Sequence, residues 1–180
     1  MRAVPITVTA LAAAFLLTAC GGGDDSASGD GESKASSGAS ASGTACAAGD
    51  LTMAAGAVNA APAAGDTGNV TVTVTNGGKE CTLEGFPKVE LEADGTTVPV
   101  PHDEAAEAQP LPLAEQATVS FTITYVRGED GEGSLSAKTL TCGLADAPAT
   151  ESLDWSYGAV ALKDGGKPDA SVSAFQVAGD

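Results

Sequence analysis

Apolar and polar residues alternate with a period of two along three segments of this chain, residues 70–75, 88–93 and 118–125. The first segment alternates valine with threonine, and the third alternates large apolar residues with serine or threonine. Successive side chains of a β-strand point to opposite sides of the sheet. The pattern therefore predicts strands that have one buried and one solvated face.

Weaker strand patterns occupy residues 51–57, 96–100, 139–144, 156–162 and 171–177. Turn sequences separate the strands, among them Asn76-Gly77-Gly78 and Asp94-Gly95. Asn76-Gly77 predicts a turn that needs positive φ. The spacing of short strands predicts an all-β fold, an immunoglobulin-like antiparallel β-sandwich of about seven to eight strands.

The N-terminus carries one positive charge, Arg2, followed by a largely apolar stretch that ends in Leu17-Thr18-Ala19-Cys20. That stretch is too short to span a bilayer comfortably and is typical of an export signal. Its end resembles a bacterial lipobox, which predicts cleavage before Cys20 and lipidation of that cysteine. The alternative is an ordinary signal peptide in which Cys20 stands by chance.

Residues 21–45 are rich in glycine, serine, alanine and aspartate and contain no aromatic residue. Such a segment cannot bury enough apolar surface to offset its ordering entropy, so we expect it to be disordered. Its predicted reach is about 25–30 Å. The predicted organisation is a signal peptide over 1–19, a lipidated cysteine and tether over 20–45, and one β-sandwich domain over 46–180.

The chain has a formal net charge of −16 and a pI of about 4.1. An acidic surface repels phosphate backbones and anionic lipid headgroups, which argues against nucleic acid as a partner and against membrane binding through charge. Solubility outside the cell is the simplest explanation of the acidity. A protein partner of this surface is expected to carry a basic patch, and the association should weaken as salt rises.

Four cysteines are present. Lipid on Cys20 leaves three in an oxidising compartment, where a disulfide is expected. If strands 51–57 and 70–76 pair as an antiparallel hairpin, Cys46 and Cys81 lie at the same end, within bonding reach. This predicts a Cys46–Cys81 disulfide. The alternatives are Cys46–Cys142 and Cys81–Cys142, and Cys142 is otherwise a free thiol.

Residues 76–87 read Asn-Gly-Gly-Lys-Glu-Cys-Thr-Leu-Glu-Gly-Phe-Pro. This segment, together with the leading Cys46 and the Leu-rich turn and central strand from Leu113 to Tyr125, resembles the domain of unknown function 4232 family of actinobacterial secreted lipoproteins. The family usually has Pro-Gly before the central strand, where this chain has Ala114-Glu115-Gln116. The resemblance implies an extracytoplasmic β domain, and the family has no assigned activity.

Few residues in the sequence are candidates for catalysis, metal binding or ligand binding. His102, the one histidine, stands beside Asp103 and Glu104 and is expected to be exposed rather than catalytic or metal-binding. Trp155 and Tyr157 alternate on a predicted strand and are candidate binding residues, with packing as the alternative. The sequence predicts no catalytic residues, no metal site and no cofactor.

The sequence therefore predicts a non-enzymatic lipoprotein on the extracytoplasmic face of the cell membrane, anchored through Cys20. Its β-sandwich is expected to act as a binding or interaction module for an unknown envelope or extracellular protein or ligand, because exposed loops on a rigid scaffold often bind. The alternatives are a structural envelope or assembly component and, less favoured, an uncharacterised hydrolase that uses carboxylates such as Asp103 or Glu104.

Overall fold

The computed structural model describes residues 43–131, 133–147, 151–163 and 166–177. The predicted signal peptide, Cys20 and most of the predicted tether lie outside the described residues. A 3-10 turn at Ala48–Asp50 precedes the first strand. The strands follow in chain order: β1 (Leu51–Asn59), β2 (Thr67–Asn76), β3 (Cys81–Leu83), β4 (Pro87–Ala93), β5 (Thr96–Pro99), β6 (Leu111–Leu113), β7 (Thr118–Val126), β8 (Ser134–Leu135), β9 (Thr139–Leu144), β10 (Glu151–Asp154), β11 (Val160–Ala161), β12 (Ala170–Val172) and β13 (Gln176–Val177).

Two antiparallel sheets form the domain. The five-stranded β2 sheet has the order β1-β2-β7-β12, with β13 also paired to β7, and the four-stranded β4 sheet has the order β10-β9-β4-β5. Two short ladders, β3–β6 and β8–β11, complete it. The prediction of an all-β antiparallel sandwich is confirmed. The two main sheets hold five and four strands, slightly more than predicted, because the run 171–177 is divided and β10 forms where the sequence predicts no strand.

Burial follows the alternation in the sequence. Val70, Val72 and Val74 of β2 are fully buried, and the threonines between them are half-buried. The β7 strand repeats this pattern, and Leu91 and Leu140 of the β4 sheet pack into the same core. Each such side chain contributes about 1.5–3 kcal/mol when fully buried. The core therefore lies between the two sheets and is built mainly from aliphatic residues.

Two C-terminal strand predictions are only partly right. Residues 156–162 contain only the two-residue β11, because Gly158 has a φ of 92° and the chain turns to place Trp155 in the core. Residues 171–177 divide into β12 and β13. The break occurs at Ser173, whose Oγ accepts from the Thr122 N–H and donates to the Ala174 carbonyl.

Among the described residues, backbone pairing with the domain includes positions slightly before the predicted domain boundary at Cys46. The Thr82 N–H donates to the Thr44 carbonyl at 2.9 Å, the Cys46 N–H donates to the Thr82 carbonyl at 3.0 Å, and Ala45 forms a parallel bridge with Thr82. These bonds add the end of the predicted tether to the edge of β3. The polar composition of this segment gives no sign of such backbone pairing, so the sequence assigns these residues to the tether.

The prediction of positive φ at Asn76-Gly77 is wrong. Asn76 is instead a buried polar anchor: its Nδ2 donates to the carbonyls of Lys79 at 2.8 Å and Leu113 at 3.2 Å, and its Oδ1 accepts from the Gly78 N–H at 2.9 Å. Positive φ occurs instead at Gln116, with a φ of 61°. The Gln116 N–H donates to the Asn76 carbonyl at 2.8 Å, so the two residues together join β2 to the turn before β7.

Candidate binding surface

The outward side chains on the described strands of the β2 sheet are all uncharged. Residues that are directly opposite in an antiparallel ladder share one face. The register of β1, β2, β7, β12 and β13 therefore places one set of small uncharged residues together. We call this set the threonine face: Thr52, Ala54, Asn59, Asn69, Thr71, Thr73, Thr75, Thr118, Ser120, Thr122, Thr124, Ser171 and Gln176. Thr67 and the half-buried Val126 opposite it lie at one end of this face.

Each of the two ends of the threonine face contains a pair of hydrogen-bonded side chains. The Thr124 hydroxyl donates to Asn69 Oδ1 at 2.8 Å, and the Thr75 and Thr118 hydroxyls lie 3.5 Å apart. Between these pairs, the half-buried hydroxyls of Thr71, Thr73 and Thr122 make no side-chain hydrogen bond to any part of the chain that the structure describes. These hydroxyls can therefore bond to water or to a ligand.

The outer face of the β4 sheet has the same architecture and a different chemistry. Its register brings together Lys88, Glu90, Glu92, Thr97, Thr139, Thr141, Ser152 and Asp154, a set we call the charged face. Lys88 Nζ lies 3.3 Å from Glu90 Oε2, and the remaining charges on this face are carboxylates. A basic partner is therefore expected to bind the charged face rather than the threonine face.

The cavities are shallow clefts at the margins of the sandwich. One of about 180 Å³ lies beside Cys46, Thr82 and Leu144. A groove of about 640 Å³ is lined by Glu104 and by Lys163, which pairs with Asp169 at 2.9 Å.

The hydrolase hypothesis places carboxylates such as Asp103 and Glu104 in a cleft. Glu104 lines the larger groove, and neither Asp103 nor His102 does. The imidazole of His102 stacks on Phe86, with ring centroids 4.6 Å apart. In the described ranges, no group of three or more His, Cys, Asp or Glu residues is arranged to hold a metal ion.

Trp155 lies in the core, in agreement with the packing alternative. It is 5% exposed, its ring contacts Tyr125 edge to face at 5.1 Å, and its Nε1 donates to the Gly158 carbonyl at 2.8 Å. Tyr157 is half-buried against the indole. Tyr125 ties this cluster to the 60–66 loop, because its hydroxyl accepts from the Ala61 N–H and donates to the Tyr157 carbonyl. The aromatic residues of this cluster therefore pack against one another within the domain.

The Cys46–Cys81 disulfide is confirmed, with a Cα–Cα distance of 4.9 Å. Both rival pairings are therefore wrong, and Cys142 is a free, fully buried thiol. Burial, and secondarily the negative charge of Glu151, raises the pKa of Cys142 to about 12. A thiol that stays protonated at neutral pH is a poor nucleophile, so Cys142 acts as a core residue.

Sequence reasoning used the threonines of β2 and β7 only as evidence for strands and missed the surface that they form together. The signal was present: every outward position of residues 69–75 and 118–124 is uncharged, in a chain whose net charge is −16. What the sequence does not disclose is that β2 and β7 are neighbours in one sheet. None of the described helices is long and apolar enough to cross a membrane.

Comparison with known proteins gives one match. The family profile described as "Domain of unknown function (DUF4232)" matches residues 46–176, which includes the disulfide, both sheets and most of the threonine face. No curated protein and no solved structure gives a significant match.

Proposed function

The chain belongs to the DUF4232 family of domains of unknown function, and from that premise we propose that it is a lipid-anchored extracytoplasmic binding module. Lipid on Cys20 holds it at the cell membrane, and the threonine face of its β-sandwich receives an envelope or extracellular partner. The module acts by binding, without catalysis.

Two features of the N-terminal part support the anchor. Leu17-Thr18-Ala19-Cys20 follows an apolar stretch of signal-peptide length, and each methylene of an attached acyl chain adds about 0.8 kcal/mol of membrane affinity. The chain that leads from Cys20 enters the domain where Thr44 and Ala45 pair with β3, next to the disulfide. A pull on the anchor therefore acts on a covalently closed end of the sandwich.

The observation that carries the binding role is the uncharged threonine face on a strongly acidic chain. Solubility alone favours charged outer positions, as on the β4 sheet. The β2 sheet instead presents small polar side chains on interior strands, with central hydroxyls such as those of Thr71 and Thr73 available to a ligand. A broad rigid surface of this kind suits an extended partner better than a small molecule, which needs a concave pocket.

The anchor is tested by labelling cells with a radioactive fatty acid and fractionating their envelopes. The wild-type chain should carry the label and partition with membranes, and Cys20→Ala should do neither. Wild-type protein without label, or Cys20→Ala protein that stays with the membrane, contradicts the anchor.

The binding surface is tested with a photo-crosslinking amino acid placed at Thr73 on the threonine face and, as matched control, at Thr141 on the charged face. Both positions are half-buried and lie on interior strands. Crosslinking on intact cells should yield a specific adduct from position 73 and none from position 141. Adducts from position 141 alone would assign binding to the charged face, and no adduct from either position would favour the structural or assembly alternative.

A further inference from the structure

We infer that the partner of the threonine face is a neutral polysaccharide, an uncharged polymer that presents many hydroxyl groups. This inference rests on the proposed function, because it names the chemical class of ligand for the same surface. Three properties of the threonine face lead to it: its hydrogen-bonding groups, its charge, and the placement of the large side chains of the domain.

The hydrogen-bonding groups match those of a sugar. A threonine or serine hydroxyl both donates and accepts, and the amides of Asn69 and Gln176 add further donors and acceptors. Sugar hydroxyls likewise do both, so bonds can form in either direction. The hydroxyls of Thr71, Thr73 and Thr122 lie at the centre of the face and have no side-chain partner within the described ranges.

The charge distribution selects an uncharged polymer. An anionic polysaccharide or a nucleic acid is repelled by a chain whose net charge is −16. A cationic partner is attracted more strongly to Glu90, Glu92 and Asp154 on the charged face. A neutral polymer is neither repelled nor drawn elsewhere, so it can bind where local hydrogen bonding is richest.

The large side chains argue against a protein partner. Protein interfaces are anchored by tryptophan, tyrosine and arginine residues that fill pockets. Phe121, Tyr125 and Trp155 point into the core instead. The exposed large hydrophobic residues of the described chain are Val58 and Val177, and both lie near the ends of strands in the β2 sheet. The threonine face thus lacks the anchors that make a protein complex tight.

The dimensions suit an extended chain. Neighbouring strands are about 4.8 Å apart, and alternate residues along a strand are about 6.8 Å apart. The sheet is four strands wide, so the span is roughly 20 Å along the strands and about 14 Å across them, which accommodates several sugar units along the hydroxyl rows. Each bond to a hydroxyl contributes little against water, so affinity comes from repetition along the polymer.

The inference is tested by titrating fluorescein-labelled dextran, mannan and galactan, with alginate as the anionic comparison, against the full chain in a neutral detergent. Fluorescence anisotropy at low and high ionic strength reports the apparent association constant. At least one neutral polymer should bind, alginate should bind more weakly than it, and the constant for the neutral polymer should be nearly independent of salt.

A matched pair of double variants assigns the binding to the hydroxyls. T71V/T73V removes two hydroxyls from the interior strand β2, and T139V/T141V removes two from the interior strand β9 with the same spacing and similar burial. Valine keeps the shape and the strand preference of threonine. T71V/T73V should lower the association constant about tenfold, as expected for the loss of two hydrogen bonds, and T139V/T141V should leave it unchanged.

Several outcomes overturn the inference: no binding by any of the neutral polymers, tighter binding of alginate, or equal or tighter binding by T71V/T73V while circular dichroism shows a native fold. The last result would indicate an apolar contact. The proposed function is judged separately, by the crosslinks from position 73. A protein adduct there without polysaccharide binding rejects the polysaccharide and leaves the binding module intact.

Discussion

The two sheets of the domain pack against one core and differ in what they present to solvent. β2 and β9 are both interior strands with alternating burial, and apart from Asn76 at the end of β2 the side chains that they bury are aliphatic or sulfur-containing. Outward, the β2 sheet displays hydroxyls and amides, and the β4 sheet displays Glu90, Glu92 and Asp154. The alternation of apolar and polar residues thus specifies a strand equally well in both sheets. The chemistry of the outward residues is not fixed by this alternation and can differ between the sheets.

The three cysteines among the described residues also have different positions relative to the two sheets. Cys46 and Cys81 flank the β1–β2 hairpin and close it covalently, whereas Cys142 lies within β9 as a buried free thiol. A disulfide therefore closes the β1–β2 hairpin of the β2 sheet, whereas the cysteine within the described strands of the β4 sheet is not crosslinked. Substitutions in the two sheets should separate these contributions.

The largest expected effect comes from the crosslink. Replacing both bonded cysteines, C46A/C81A, should lower the free energy of unfolding by about 3–4 kcal/mol in the chain-entropy account of a loop of this length. Urea denaturation followed by tryptophan fluorescence measures the change, since Trp155 lies in the core. A loss below about 1 kcal/mol would mean that the pairing of β1 with β2 does not need its covalent closure.

The next effect concerns the free thiol of the β4 sheet. Folding raises the pKa of Cys142 to about 12 from an ordinary value of 9.0, so its stabilisation is fully present below pH 9 and is lost as pH rises towards 12. One pH unit above the unfolded-state pKa, the loss is about 1.4 kcal/mol. Denaturation at increasing pH measures it, and C142A is the control.

If wild type and C142A lose stability in parallel above pH 9, the thiol is not the group that titrates. Alkylation provides an independent check. Iodoacetamide should label Cys142 only after unfolding, and rapid labelling of the native protein would contradict its burial.

A smaller, stabilising effect is expected at the turn before β7. Gln116 adopts a φ of 61°, a region that costs a side-chain-bearing residue about 1–2 kcal/mol and glycine little. Gln116→Gly should therefore raise the free energy of unfolding by about 0.5–1 kcal/mol, the strain relief being partly offset by the greater entropy of unfolded glycine. Gln116→Ala, which keeps the strain, is the control and should not stabilise.

The smallest effect belongs to the charged face. Lys88 and Glu90 form a partly exposed pair at 3.3 Å, and such pairs contribute about 0.2–1 kcal/mol. Lys88→Ala should lower stability by no more than this, and added salt should remove most of the difference. A larger loss of stability, or one that salt does not reduce, would contradict this expectation. It would show that side chains of the charged face stabilise the β4 sheet substantially.

The prediction from sequence was most successful where the evidence is local. Val70 to Val74 identify their strand because a side chain's direction depends only on its own backbone and its neighbours. The disulfide followed from one further assumption, that the flanking strands pair as a hairpin. The anchor at Cys20 remains a prediction from the motif around it.

Local sequence patterns do not predict the environment of three features: Trp155, Asn76 and the threonine face. Alternation placed Trp155 on a strand, but contacts with Tyr125 and a hydrogen bond to Gly158 turn the chain and bury the indole. The sequence predicts a turn at Asn76, but the side-chain amide of Asn76 donates a hydrogen bond to the Leu113 carbonyl, 37 residues away in sequence.

By itself the sequence determined the longer strands, the class of fold and the family and favoured the correct cysteine pair, because these depend on period-two patterning, a short motif and the closure of one hairpin. Tertiary structure alone decided that β2 and β7 lie side by side, so that their outward threonines form one uncharged face while the carboxylates of Glu90 and Glu92 gather on the other. The physical reason is that a strand's own residues set which side it buries, whereas the neighbour beside it is chosen by the packing of the whole core.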